Sequence, residues 1–103
     1  MRYGDGISWG ELTTLPGCSQ VAVSHGVTIH QDHRGKGLAS VKSEDRFNLA
    51  RKLGYDLLIC TCDESNLPQV KTLLKTGWIK VYIFKSSRTE NSVGLWMKSL
   101  EPL

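Results

Sequence analysis

One short segment restricts this chain more than any other. It is His33-Arg34-Gly35-Lys36-Gly37-Leu38-Ala39-Ser40, which follows a β-branched stretch and opens a helix-like one. Glycines at alternate positions leave the backbone uncovered, so successive N–H groups converge on an anion, and the helix starting there adds its partial positive charge. Arg34 and Lys36 supply further countercharge. A strand-loop-helix unit that cradles a phosphate or pyrophosphate is the expectation, and it calls for a mixed α/β or α+β architecture. The spacing matches neither the phosphate loop of nucleotide triphosphatases nor the Gly-x-Gly-x-x-Gly of dinucleotide-binding folds, which disfavours both classes.

The rest of the chain alternates short β-like and longer helix-like stretches, as such a unit needs. Ile7 to Thr13 has apolar residues at alternate places before the turn Leu15-Pro16-Gly17, and Gln20 to His30 puts Val21, Val23, Val27 and Ile29 on one parity. Two antiparallel strands are expected there. Ser24-His25-Gly26 interrupts the second, and a glycine inside a strand marks a bulge or a close backbone approach. Gly37 to Leu53 repeats Leu38, Val41, Phe47, Ala50 and Leu53 at helical spacing, with Gly54 as the stop. Tyr55 to Cys62 reads as a buried parallel strand, and Leu67 to Thr76 as a second helix with Pro68 in its first turn and Gly77 at its end. Trp78 to Phe84 and Val93 to Ser99 read as two closing strands around a solvated Lys85 to Ser92 hairpin loop, giving the order β-β-α-β-α-β-β. At 103 residues this is one domain, and 40% hydrophobic with 22% charged residues is a globular balance able to form a core.

Several functions are disfavoured on the same evidence. A net charge of +3 is too small for a nucleic-acid face, and Trp9, Trp78 and Trp96 are not interleaved with basic residues; they read as core or dimer contacts. The three cysteines are an odd number and the opening residues carry no signal-peptide pattern, so a reducing cytoplasm is expected rather than a disulfide scaffold. No apolar run approaches the roughly 20 residues of a membrane span. Cys60 and Cys62 share one strand face, but Cys18, His30 and His33 do not complete a ligand pattern, so buried thiols and no metal are expected.

Arg34-Gly35-Lys36-Gly37-Leu38-Ala39 satisfies the Arg/Gln-x-x-Gly-x-Gly/Ala loop of the GNAT superfamily of acetyl-CoA-dependent N-acetyltransferases, and Val27 to His33 resembles the strand and turn leading into it. Asn66-Leu67-Pro68 through Leu73-Leu74-Lys75-Thr76-Gly77-Trp78 is similar to that family's second motif, an Asn opening a helix that ends in Gly-Phe or Gly-Trp. The resemblance covers residues 20–100: a first motif region over 20–53, a second over 55–78, and closing strands over 78–100. It corresponds to the family's C-terminal half. The ending Thr89-x-Asn91-x-Val93-x-Leu95-Trp96-x-Lys98 is similar to that of very short acetyltransferase-like chains in bacteriophage genomes.

The resemblance implies a compact α+β fold whose mixed sheet is splayed at the cofactor-binding strand. It also implies acetyl transfer from acetyl-CoA to a primary amine, a protein lysine or a small amine, by direct attack in a ternary complex. In it the backbone of Val27, Thr28 and Ile29 pairs with the pantetheine arm, Arg34, Gly35, Lys36, Gly37, Leu38, Ala39 and Ser40 hold the pyrophosphate, and Asn66 contacts the pantetheine or the acetyl-bearing end. Asn66 is equally suited to capping its helix. The family's general-acid tyrosine falls at Leu73 and the glutamate base of some members at Val23, so neither is present. His25 is the remaining candidate base, since an imidazole with pKa about 6.5 takes protons at neutral pH, though a histidine merely satisfied at a strand bulge fits as well. Tyr82 reads as core rather than as a proton donor. The competing reading is a catalytically reduced fold acting as a binding or interaction module that keeps the coenzyme A site or only the scaffold. A short N-terminal part would leave an exposed sheet edge, and self-association as a homodimer is expected.

Overall fold

The computed structural model describes residues 1–5, 8–30 and 38–101. The loop residues Gln31 to Gly37, and with them Arg34, Gly35, Lys36 and Gly37, lie outside the described residues. The elements in chain order are β1 (Arg2–Gly4), β2 (Ser8–Leu15), β3 (Cys18–Ile29), α1 (Leu38–Lys52), β4 (Leu57–Asp63), α2 (Leu67–Lys75), β5 (Ile79–Lys85) and β6 (Ser92–Ser99). They form one six-stranded mixed sheet in the order β1-β2-β3-β4-β6-β5. The order expected from sequence holds, with β1 added at the front. Three residues are too few to show a period, and β1 exists because Tyr3 pairs with Gly10, where an added Cβ would come within 2.6 Å of the Tyr3 hydroxyl.

Glycine punctuates the chain where expected. Gly17 (φ +80°) closes the β2–β3 hairpin. At Gly77 (φ +89°) the N–H donates to Leu74 and that of Trp78 to Leu73, the paired C-terminal bonds that end α2. Gly26 (φ +63°) sits in the predicted bulge, because Trp9 pairs with Thr28 while Glu11 pairs with His25, so β3 has one residue more than β2 there.

The core is one layer. Leu12, Ala22, Leu58, Cys60, Cys62 and Trp96 from the sheet meet Phe47 and Ala50 of α1, Leu73 of α2, and Trp78 and Leu100. Several expectations about faces are corrected by it. On β3 the buried residues are Ala22 and Ser24, not the Val21, Val23 and Val27 parity, because the short side chains face the packed helices. In α1, Val41 and Leu53 are exposed, and the buried stripe is Ser43, Arg46, Phe47 and Ala50. β4 is buried on one face only, with Leu57 and Ile59 half-buried and Thr61 exposed. Tyr82 is 65% exposed rather than core, since β5 is an edge strand. Trp78 and Trp96 are core as expected, while Trp9 is half-buried. Among the described residues no helix is long and apolar enough to cross a membrane.

Candidate active site

All neighbouring strands are antiparallel except β3 and β4, which run parallel through three register pairs: Val21 with Leu57, Ala22 with Leu58, and Val23 with Ile59. Beyond Val23 the two strands part, and β3 runs on to Ile29 and β4 to Asp63 without pairing each other. The break coincides with the change from Val-Ala-Val to Ser24-His25-Gly26, where the bulge bends the strand. A cavity of about 300 Å³ opens in the fork, lined by Ser24 to Thr28, Arg46, Cys60 to Asp63, Asn66, Gln69 and Leu73. That volume is at the lower end of small-molecule sites.

Several residues singled out in the sequence converge on this fork. His25 lines it; its Nε2 is 2.7 Å from the Thr13 hydroxyl oxygen and 3.9 Å from a Glu11 carboxylate oxygen, with both His25 and Glu11 about half-exposed. Strand alternation puts His25 on the sheet face opposite Ser24. Val27 and Thr28 line the cavity, and the Thr28 hydroxyl donates back to the Gly26 carbonyl. Asn66 caps α2, its side-chain oxygen accepting from the Gln69 N–H at 3.4 Å, and it also lines the cavity. Leu73, at the position where the resemblance puts a tyrosine, is 2% exposed and lines the same cavity. Leu38, Ala39 and Ser40 form the first turn of α1. Lys85 and Ser92 bound the β5–β6 hairpin, away from the lining.

Cys60 and Cys62 are free thiols. Burial pushes Cys60 up to about 12 despite the offsetting Arg46 guanidinium, and burial likewise raises Cys62. Neither is a nucleophile in that state. Asp63 is held below the usual carboxylate range by the Ser65 hydroxyl and backbone N–H, at 2.6 and 2.9 Å, with the Asn91 amide donating to its other oxygen. It fixes the turn from β4 into α2. Among the described residues no three His, Cys, Asp or Glu side chains form a metal-binding group.

Arg46 is the site residue the sequence reading passed over. It is 7% exposed, lines the cavity, and lies beside Tyr3, whose phenol is pushed up by burial and partly drawn back by the guanidinium. A signal was present: Ser43, Arg46, Phe47 and Ala50 share one helical face, and an arginine on a buried face is rarely idle.

Neither protein-family models nor curated proteins show a match to the sequence. Solved structures do. The chain superposes on the spermidine N-acetyltransferase of Vibrio cholerae in complex with CoA and spermine with a TM-score of 0.81 at 15% identity, covering 91% of this chain and 58% of that one. An acetyltransferase of the GNAT family from Streptococcus pneumoniae gives 0.77 at 16% identity, covering 94% and 62%. The chain has the GNAT acetyltransferase fold. The IAA acetyltransferase of Bacillus cereus matches with a TM-score of 0.80 at 14% identity, over 94% of this chain and 72% of that one. The GNAT-fold chain thus spans about three fifths of the length of the first two of these relatives. The parallel pair that forks after three residues opens the cavity, and α1 and α2 bring Arg46, Asn66, Gln69 and Leu73 to it.

Proposed function

We propose that this GNAT-fold chain is an acetyl-CoA-dependent N-acetyltransferase that acetylates a primary amine by direct attack in a ternary complex. The observation that carries it is the fork between β3 and β4. Past Val23, β3 has a backbone edge unpaired on the β4 side, flanking a cavity, and an amide-bearing pantetheine arm pairs with such an edge as an added strand does. The backbone of Val27 and Thr28, with Ile29, would hold that arm. Arg34, Gly35, Lys36 and Gly37 would hold the pyrophosphate with the first turn of α1, Leu38 to Ser40, whose free N–H groups and dipole suit an anion. Asn66 and Leu73 would flank the acyl end.

When bound, acetyl-CoA supplies an acyl group activated as a thioester. The protein's own work is to bring in a neutral amine. His25 takes the proton, directly or through water, with its Nε2 2.7 Å from the Thr13 hydroxyl oxygen. The acceptor is a small amine or a protein lysine, and a second copy packs on the exposed β5 edge.

A second reading is a binding module that keeps the cofactor site without turnover. The apolar Leu73 in the cavity, with Val23 half-buried in the sheet, is what favours it, since neither moves a proton. One experiment separates the two. Thermal melts with and without acetyl-CoA should show stabilisation of about 2.7 kcal/mol at 100 times Kd, and acetylated product should appear on a panel of amines and lysine peptides. Binding without product on the whole panel assigns the module, and no binding removes both readings.

A further inference from the structure

Arg46 is buried in the fork without a counter-charge. It is 93% buried, its Nε has no hydrogen-bond partner, and among the described residues no carboxylate lies within ion-pairing distance of it. Its polar neighbours are Ser24, also buried, and the Tyr3 phenol, which the guanidinium draws down and which, pushed up by burial, brings no charge to offset it. The two thiols nearby do not compensate it, because burial keeps Cys60 protonated. A cation held out of water costs several kcal/mol unless it is paired, and nothing in this packing requires it: methionine would fill the same length.

Its location says what it waits for. Arg46 stands eight residues along α1 from Leu38, about 12 Å down the helix from the end assigned to the pyrophosphate, and lines the cavity together with Cys60 and Ser24. That is the acyl and acceptor end of the proposed site, not the phosphate end. A planar guanidinium offers a fork of N–H donors that matches a carboxylate with two parallel bonds.

We propose that Arg46 is a specificity residue that binds a substrate carboxylate in the fork, so that one of the two reactants carries a carboxylate near its reacting centre. This rests on the acyltransferase reading above. The carboxylate has two sources: the far end of a dicarboxylic acyl group, as in succinyl-CoA, or the α-carboxylate of an amino-acid acceptor.

Calorimetric titration of the full chain tests both. One arm compares succinyl-CoA with acetyl-CoA; the other compares lysine with 1,5-diaminopentane, which lacks only the carboxylate, both with and without coenzyme A. The carboxylate-bearing member of one pair should bind roughly 10- to 100-fold more tightly, and Arg46→Met should erase that preference while leaving coenzyme A affinity within about threefold. Arg46→Met should also melt no lower than the parent without ligand, as relief of an unpaired buried charge requires, whereas a merely structural arginine would lower it. If Arg46→Met does not fold, the inference is overturned, unless Arg46→Lys, which keeps the charge without the fork, folds and lowers the preference severalfold. No preference in either arm, or a preference that survives Arg46→Met, overturns the inference even when coenzyme A binds. Failure of every thioester to bind overturns the function above instead, and the carboxylate site is then judged on the lysine pair alone.

Discussion

Phe47 is the side chain through which α1 is fastened to the rest of the fold, and the cost of removing it follows from its contacts. It is 1% exposed, its ring lies 6.1 Å from that of Trp78 at 55°, and the Lys98 ammonium sits 5.0 Å from its centroid. Phe47→Ala leaves a cavity and should cost about 3–5 kcal/mol, against a total stability of about 5–15 kcal/mol for a domain of this size. Phe47→Leu keeps most of the apolar volume and gives up the ring-specific contacts. The tilted aromatic pair is worth about 0.5–1.5 kcal/mol and the cation over the ring about 0.5–1 kcal/mol, together about 1–2.5 kcal/mol. An unfolding entropy of about 2.1 cal/mol/K per residue over 103 residues is about 0.22 kcal/mol/K, so Tm should fall by about 5–12 °C in Phe47→Leu. The assay is calorimetric melting of Phe47→Leu, Lys98→Met and the double variant, in which the double should lose about 0.5–1 kcal/mol less than the sum of the singles. Strict additivity would refute the ammonium-ring contact. A cost below about 2 kcal/mol for Phe47→Ala would refute the claim that this ring anchors the helix.

His25→Ala should cost on the order of 10²-fold in acetyl transfer and remove the acidic limb of the kcat/KM pH profile; an unchanged profile with little loss in the variant would dismiss histidine as the base. With a thiol-specific disulfide reagent at pH 8, only the half-buried Cys18 should react in the fast phase, because Cys60 is raised to about 12 and Cys62 is 6% exposed; all three should react in denaturant, and two fast thiols in the native protein would contradict the burial. On β5, Ile79, Tyr82 and Ile83 are 67%, 65% and 51% exposed, so sedimentation at micromolar concentration should find a dimer that Tyr82→Lys converts to a monomer of unchanged Tm; a monomeric parent would dispose of the homodimer.

The turns and the order of elements were legible because glycines mark them: Gly17, Gly54 and Gly77 all adopt positive φ, which only glycine takes at little cost. Gly26 announced the bulge, and Asn66 with Pro68 announced α2. What stayed hidden was which face of each element is inside. In β3, valines on one parity outweighed Ala22 and Ser24 on the other, yet small residues win where a helix must come close. In α1, Val41 and Leu53 drew the apolar stripe away from Ser43 and Arg46, so a polar pair in the core read as surface. Periodicity counts hydrophobic residues and has no way to register a charge that is buried. Leu73 lies in the cavity lining between Asn66 and Gly77, the two ends of α2 that the sequence marks.

The brevity of the parallel pairing makes the protein, in mechanical terms, two antiparallel ribbons, β1-β2-β3 and β4-β6-β5, laid edge to edge along a fracture line three residue pairs long. Heat or denaturant should open this line before either ribbon frays, since each ribbon is held by long antiparallel pairings and the strand pairing across the line is only Val21, Ala22 and Val23, helped by the Asp56 N–H on the Gln20 carbonyl and the contact between the Thr14 and Tyr55 hydroxyls. Whatever lodges in the fork lies across it and acts as a rivet, so that amide protons on both ribbons should slow their exchange together, at a single ligand concentration.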